Sequence, residues 1–264
     1  MCGILGVLSA QDRTVAMNNR SIDTAQSVVV DEAAVVERLA AQLSARYGRL
    51  PAPDLLRAAI QREFPGEIAV VSSFGAESAV ILSLVAEVDP AVPVIFLETG
   101  KHFPETLAYR DELAARLGLT NLRSIEPAAV DVASRDPDGR LWERDGDRCC
   151  HLRKVEPLAR ALSGYTAWIT GRKRFHGGER TRLVPFEASG GRVKVNPLAE
   201  WTPAEIAEAF RERGLPPHPL VTRGYLSIGC APCTQPVAEG DDVRAGRWAG
   251  TEKTECGIHR SPWF

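Results

Sequence analysis

From Glu67 the chain reads EIAVVSS, SFGAES, SAVILSLVAEV and PVIFLET. Two short runs rich in β-branched residues flank a turn and an apolar stretch long enough for three helical turns, which is the pattern of a βαβ unit. This feature constrains the fold most. A parallel strand pair needs a right-handed crossover, and a sheet of such pairs is buried on both faces by helices. The alternation continues through the helix PETLAYRDELAARLG, a short strand near NLRSIE, the helix LRKVEPLARALSG and the strand TAWITG. RLVPFEASGGRVKVNPL predicts a hairpin turning at Gly190-Gly191, and TPAEIAEAFRERG predicts a capped helix. Upstream, EAAVVERLAAQLSARYG (32–48) and DLLRAAIQREF (54–64) carry apolar residues at helical spacing on either side of the breaker LPAP. The expected class is α/β, a parallel sheet covered on both faces.

A chain of 264 residues can bury one large core. The expected partition is a mobile leader over 1–30, carrying the polar MNNRSIDTAQS, a single domain over 31–240, and a flexible tail over 241–264 with Cys256. Beyond Gly214 the chain is rich in Gly, Pro and Cys, so something other than apolar packing should hold it. Lys and Arg number 32 against 34 Asp and Glu, a net charge of -2 that argues against general nucleic-acid binding. Any anion site must then be a local cluster. No apolar run reaches membrane-spanning length, and the N-terminus lacks a basic segment followed by an apolar one. The expected compartment is the cytoplasm, where six cysteines act as ligands or catalysts rather than as disulfides.

Ser72, Ser73, Phe74, Gly75, Glu77 and Ser78 lie in SSFGAES, where a strand gives way to a helix. Backbone N–H groups and the helix dipole favour an anion there, although a Ser/Gly turn can equally be mere connection. Lys173, Arg174 and Arg180 follow the strand TAWITG at the carboxyl edge of the sheet, and Arg244 and Arg247 precede Cys256. Such cations seek an anion or form a solvated loop. Cys149 and Cys150 with the distant pair Cys230 and Cys233 offer four thiolates. Adjacent cysteines are strained around one small ion, so spacing favours an iron–sulfur cluster over zinc, with unliganded core thiols as the third reading. Lys154, just past the tandem cysteines, is by itself a helix lysine.

Taken together, these segments resemble a known family. SSFGAES resembles a variant of the PP-loop of adenine-nucleotide α-hydrolase-like proteins, usually SGGxDS, with Phe74 for a glycine and Glu77 for the aspartate. FLETGKHFPET (96–106), which contains Thr99 and Gly100, resembles an LDTG segment with Glu98 for Asp. CCHLRKVEPL (149–158) resembles a tandem-cysteine helix start opening at Cys149, and ITGRKRFHGGER (169–180) resembles an arginine-rich loop that includes Gly171 and has His176-Gly177 where Gln-Ser is expected. GCAPCTQPV (229–237), RAGRW (244–248) and ECGIH (255–259), with His259, complete the order of the phosphoadenylyl- and adenylyl-sulfate reductase family over roughly 45–260.

The resemblance implies a Rossmann-like PP-loop fold with an irregular C-terminal cluster-binding segment and mobile tail. It implies a [4Fe-4S] cluster on Cys149, Cys150, Cys230 and Cys233, with Lys154 bridging cluster and substrate. It also implies that the Cys256 thiolate attacks adenylyl sulfate, releases AMP and becomes an S-sulfocysteine reduced by thioredoxin or, second, glutaredoxin, in sulfate assimilation and cysteine biosynthesis. Arg244, Arg247 and His259 are the groups expected to lower the Cys256 pKa. Alternatives are a 3′-phosphoadenylyl-sulfate or dual-specificity reductase and an iron–sulfur PP-loop sulfurtransferase or adenylating enzyme. The opening MCGI resembles an N-terminal-nucleophile glutaminase around Cys2, but the following region lacks the β pattern such a domain needs. A homo-oligomer is compatible with all of these readings.

Overall fold

Alternate residues of the central strands feed two different cores. Ile68 and Val70, Val94 and Phe96, and Ala167 and Ile169 enter one apolar cluster, whereas Ala69, Ile95, Leu97 and Trp168 enter a second on the opposite face. That split is what a sheet covered on both sides produces, since successive side chains point to opposite faces. A computed structural model describes residues 31–260. The expected leader, with Cys2, and residues 261–264 lie outside the described residues.

In chain order the strands are β1 (Ile68–Val71), β2 (Val94–Leu97), β3 (Leu122–Ile125), β4 (Ala167–Ile169), β5 (Phe186–Ser189) and β6 (Arg192–Val195). They are arranged β3-β2-β1-β4-β6-β5. All neighbours are parallel except the β5–β6 hairpin, whose antiparallel register pairs Phe186 with Val195 and Ser189 with Arg192 around the expected Gly190-Gly191 turn. The strand order reverses between β1 and β4. In a doubly wound sheet, ligands bind at such a switch point, outside the carboxyl ends of the strands.

Helices α1 (Glu32–Tyr47) and α2 (Ala52–Ala58) precede β1, and α2 runs on into a π-helical turn at Ala59–Glu63. Asp31 caps α1 by accepting from Ala33 N and Ala34 N, and Ser44 Oγ ties α1 to the hairpin by donating to Phe186 O at 2.9 Å. Helix α3 (Ser78–Val88) is buried on every side from Ala79 to Val85, so its apolar surface carries no polar stripe. Helix α4 (Pro104–Arg116) follows β2, and α5 (Ala129–Arg135) and α6 (Leu141–Arg144) fill the connection beyond β3.

The tandem cysteines close α7 (Gly146–Cys150) rather than opening a helix. Asp145 starts it by accepting from Asp147 N and Arg148 N, and a π-helical turn at His151–Val155 joins it to α8 (Glu156–Ala161). Helix α9 (Pro203–Glu212) carries the expected capping box, Thr202 with Glu205. No helix among the described residues is long and apolar enough to cross a membrane.

Candidate functional site

The carboxyl end of β1 passes directly into Ser72-Ser73-Phe74. Phe74 has φ 49°, the left-handed conformation that a glycine would adopt without strain. Its ring is fully buried edge-on to Phe96, so Phe74 shapes the loop from beneath and does not line the crevice. Ser72 Oγ accepts the Phe74 N–H at 3.2 Å. A Cβ on Gly75 would stand 3.0 Å from Ile228 O, so the residue must be small where the loop meets the C-terminal segment. Ser72, Ser73, Gly75, Glu77 and Ser78 all line one cavity at the switch point. Glu77 precedes α3 without capping it. Its carboxylate instead binds Lys173 Nζ at 2.6 Å and His176 Nε2 at 3.1 Å. Burial opposes that charge, but the His176 hydrogen bond and Lys173 outweigh it and hold Glu77 at about 2.

The carboxyl end of β4 supplies the opposite wall with Gly171, Arg172 and Lys173, and the loop beyond supplies His176 and Arg180. Arg180 grips Glu255, Nε to Oε2 at 2.5 Å and NH2 to Oε1 at 2.9 Å. Arg244, Arg247, Cys256 and His259 complete the cavity from the C-terminal segment, and Lys154 reaches it from the π-helical turn. Arg247 stacks on Trp248 at 4.4 Å. A Cβ on Gly229 would stand 2.4 Å from Arg247 NH2, so a bare backbone admits the guanidinium. Among the described residues neither Lys154 nor Arg247 forms an ion pair, which leaves positive charge for an anion to neutralise.

Arg174 stands apart. Its guanidinium donates to Leu183 O at 2.7 Å and pairs with Glu200 at 2.9 Å, bracing the loop rather than facing the cavity. Thr99 and Gly100 also lie outside the cavity, on the cysteine side: Thr99 Oγ1 is 3.4 Å from Cys230 Sγ, and Gly100 has φ 67°. Sequence reasoning gave Glu255, Trp168 and Lys194 no part. Lys194 Nζ lies 4.8 Å over the Trp168 ring, and His259 stacks on that ring at 5.9 Å with 4° between planes. Of the three, only Glu255 leaves a local signal, an acid directly beside a thiol.

His259 is not a cation. Burial, then Arg172 and Lys194, push its pKa well below the ordinary imidazole value, so it cannot draw the Cys256 pKa down by charge as the sequence suggested. The Cys256 thiol is held well above its usual range, first by its hydrogen bond to Cys150 and second by burial, with Lys154 pulling the other way. Cys150 is lowered to about 6 by the same hydrogen bond, so the two thiols titrate as a coupled pair.

Cys149, Cys150 and Cys230 are buried and Cys233 is half-buried. Burial, then the neighbouring Cys230 and Cys233, push the Cys149 thiol up to about 11, as expected where several sulfurs crowd one region. Among the described residues no three of His, Cys, Asp and Glu are drawn together around a single ion. The donor set suits a multinuclear sulfur cluster: four thiols, two adjacent on one helix, with the half-buried cations Lys154 and Arg247 nearby. Burial opposes the Lys154 charge, but Cys230, Cys256 and Cys150 overcome this and raise its pKa. An anionic group among the cysteines therefore has its counter-charge in place.

Fold and crevice place the chain in the Rossmann-like class that receives an adenine nucleotide at a sheet's switch point. The family is narrower. A description of the phosphoadenosine phosphosulfate reductase domain matches residues 67–236, and the chain belongs to that family of oxidoreductases. It is 54% identical over 222 residues to an adenosine 5'-phosphosulfate reductase of Mesorhizobium japonicum, covering 84% of this chain and 87% of that one. It is 44% identical over 214 residues to a phosphoadenosine 5'-phosphosulfate reductase of Gloeobacter violaceus, covering 79% and 88%. The crystal structure of phosphoadenylyl-sulfate reductase from Candida auris, a phosphate complex, superposes with a TM-score of 0.64 at 30% identity, covering 75% of this chain and 97% of that one.

Proposed function

We propose that the protein reduces adenylyl sulfate to sulfite and AMP, with Cys256 as the nucleophile, in assimilatory sulfate reduction. The observation that carries this reading is the place of Cys256 in the switch-point cavity beside Lys154, Arg244 and Arg247. The Cys256 thiolate attacks the sulfur of the sulfuryl group, the bond from that sulfur to the bridging oxygen breaks, and AMP leaves with the electron pair. A thiolate and an anionic anhydride repel by about 4 kcal/mol per unit charge pair at roughly 4 Å and an effective dielectric near 20. The cations offset this repulsion and stabilise the charge passing to the leaving phosphate.

The product is Cys256–S–SO3⁻. A thiolate of a dithiol protein attacks Cys256 Sγ and expels sulfite, and its second thiol then resolves the mixed disulfide, so both electrons come from the reductant. Thioredoxin fits this role, with glutaredoxin the second choice. For that step the segment from 241 opens as a mobile tail. Its attachment is compatible with such opening: it is held by side-chain contacts such as the Arg180–Glu255 and Lys253–Asp147 ion pairs and the His259–Trp168 stack, with a few backbone hydrogen bonds and an isolated bridge between Thr234 and Arg247 in place of a strand ladder.

A [4Fe-4S] cluster on Cys149, Cys150, Cys230 and Cys233 would supply a fixed anionic partner for Lys154 and a covalent tie between α7 and the 229–237 segment. Taking Cys150 as a ligand also frees Cys256 from the thiol pair described above. The test is incubation with adenylyl sulfate in the absence of reductant, followed by tryptic mass spectrometry. The expected product is the peptide TECGIHR carrying one SO3 group; an unmodified peptide alongside released AMP would overturn the reading.

A further inference from the structure

One hydrogen-bonded chain runs from the loop that opens α3 to the cysteine that attacks. Glu77 Oε2 meets His176 Nε2 at 3.1 Å, and His176 Nδ1 meets Arg180 NH1 at 3.0 Å. Arg180 holds both oxygens of Glu255, and Glu255 Oε1 accepts the Cys256 N–H at 2.8 Å. The side chains along it are secluded, at 12% exposure for His176, 11% for Arg180 and 4% for Glu255. The links from His176 to Glu255 therefore work largely without competing water, while Glu77 at 25% exposure keeps some contact with solvent.

The partners fix the state of the imidazole. A guanidinium only donates, so His176 Nδ1 must accept; a carboxylate only accepts, so Nε2 must carry the hydrogen. The neutral Nε2–H tautomer alone satisfies both. His176 is thus a rigid two-ended bridge between a group of the nucleotide loop and a group that clamps the C-terminal segment. Among the described residues no other side chain of the arginine-rich loop hydrogen-bonds to both Glu77 and Arg180.

We propose that His176 is a positioning residue that couples nucleotide binding at the 72–78 loop to closure of the segment carrying Cys256. The proposal rests on the reading of Cys256 as the nucleophile. A nucleotide that orders the loop fixes Glu77, which through His176 holds Arg180 in the orientation that clamps Glu255. The coupling is reciprocal, so the clamp in turn favours nucleotide binding. Nothing in the chain of contacts requires His176 to touch substrate, which separates it from a catalytic residue.

The test uses AMP as probe and needs no turnover, so its failure and that of the proposed reaction are distinguishable. Alkylation of Cys256 by iodoacetamide is followed on the peptide TECGIHR in wild type, His176→Leu and His176→Gln. Loss of a charge-assisted hydrogen bond predicts roughly tenfold or more faster alkylation in His176→Leu without nucleotide. An amide sets a donor and an acceptor about as far apart as the two ring nitrogens, so His176→Gln should restore slow alkylation. In a double-mutant cycle on AMP affinity, Glu255→Gln should weaken binding in wild type and have little further effect in His176→Leu. Equal alkylation rates in all three proteins, or strictly additive effects in the cycle, would overturn the coupling. A lowered melting temperature accompanied by wild-type alkylation would make His176 structural only.

Discussion

Arg180 and Glu255 form a two-pronged ion pair, 2.5 and 2.9 Å, that places a carboxylate of the chain itself between the arginine-rich loop and the nucleophile. Burial opposes the Glu255 charge, yet the Arg180 hydrogen bonds and charge hold it at about 2. The cavity already accommodates an anion at this point, and Lys154 and Arg247 remain for a second.

The first prediction separates three cations that look alike in sequence. Lys154→Ala removes a free donor from the cavity and Arg180→Ala leaves the Glu255 carboxylate unpaired within it, so each should weaken adenylyl sulfate binding roughly tenfold to a hundredfold. Arg174→Ala removes the brace to Leu183 and Glu200 and should lower the melting temperature while leaving affinity near wild type. Calorimetric titration with thermal melts distinguishes the two patterns; a large affinity loss in Arg174→Ala would contradict the geometry.

The second concerns the two Cys-Gly-Ile triplets. Cys256→Ser should abolish sulfite release and retain AMP binding, because only the attacking sulfur is replaced. Cys2→Ser should leave sulfite release unchanged. Normal turnover in Cys256→Ser would end the mechanism.

Much of the fold was readable because β1, β2 and β4 are short apolar runs between turn residues, and because Gly190-Gly191 and the Thr202–Glu205 box are local signals. The start of α7 was not. Its capping acid, Asp145, sits in a polar run without apolar periodicity, so nothing marked Gly146 as a helix start and Cys149 looked like one. The π-helical turns at Ala59–Glu63 and His151–Val155 leave no periodic trace either. The cavity's cations were legible as a group. Their sorting was not, because whether Arg174 faces Glu200 or Arg180 faces Glu255 depends on a long-range partner that adjacent residues do not name.

A third prediction follows from His218, which is fully buried behind α4. Its Nδ1 accepts the Leu220 N–H at 3.1 Å and its Nε2 lies 3.0 Å from Thr106 Oγ1, an arrangement that needs the neutral ring. Burial lowers its pKa from 6.5 to about 4, against a small opposing pull from Glu105. The unfolded chain therefore binds a proton between about pH 6.5 and 4 that the folded chain refuses. Stability from this group is fully present above 6.5 and is lost as pH falls toward 4, on the order of 3 kcal/mol at most. Denaturation across that window should show a steeper acid loss in wild type than in His218→Gln; parallel profiles would remove His218 from the account.

The last prediction is that adenylyl sulfate is preferred over its 3′-phosphorylated relative. An added phosphate brings charge that cannot be left unpaired beside a buried ribose, and it would need about two further donors. Two cations of the ETGKH segment and the arginine-rich loop that could serve it are already engaged. Lys101 Nζ donates to Gly139 O at 2.5 Å, and Arg172 pairs with Glu187 while also reaching Asn196 Oδ1 at 3.3 Å. Arg182 lines a neighbouring cavity beside Glu37, Glu179 and Glu187, whose carboxylates repel a phosphate. Lys194 lies 3.3 Å from Glu187, and burial brings its pKa down to about 8, so it offers a weakened charge. The relatives in Mesorhizobium and Gloeobacter bear names for different nucleotides, so descent alone does not decide the matter. Comparing kcat/KM for both nucleotides with one reductant does. A ratio favouring adenylyl sulfate is expected, and Glu187→Gln, which releases Arg172 and Lys194, should narrow it; a preference for the 3′-phosphorylated substrate in wild type would overturn the assignment while leaving the Cys256 chemistry in place.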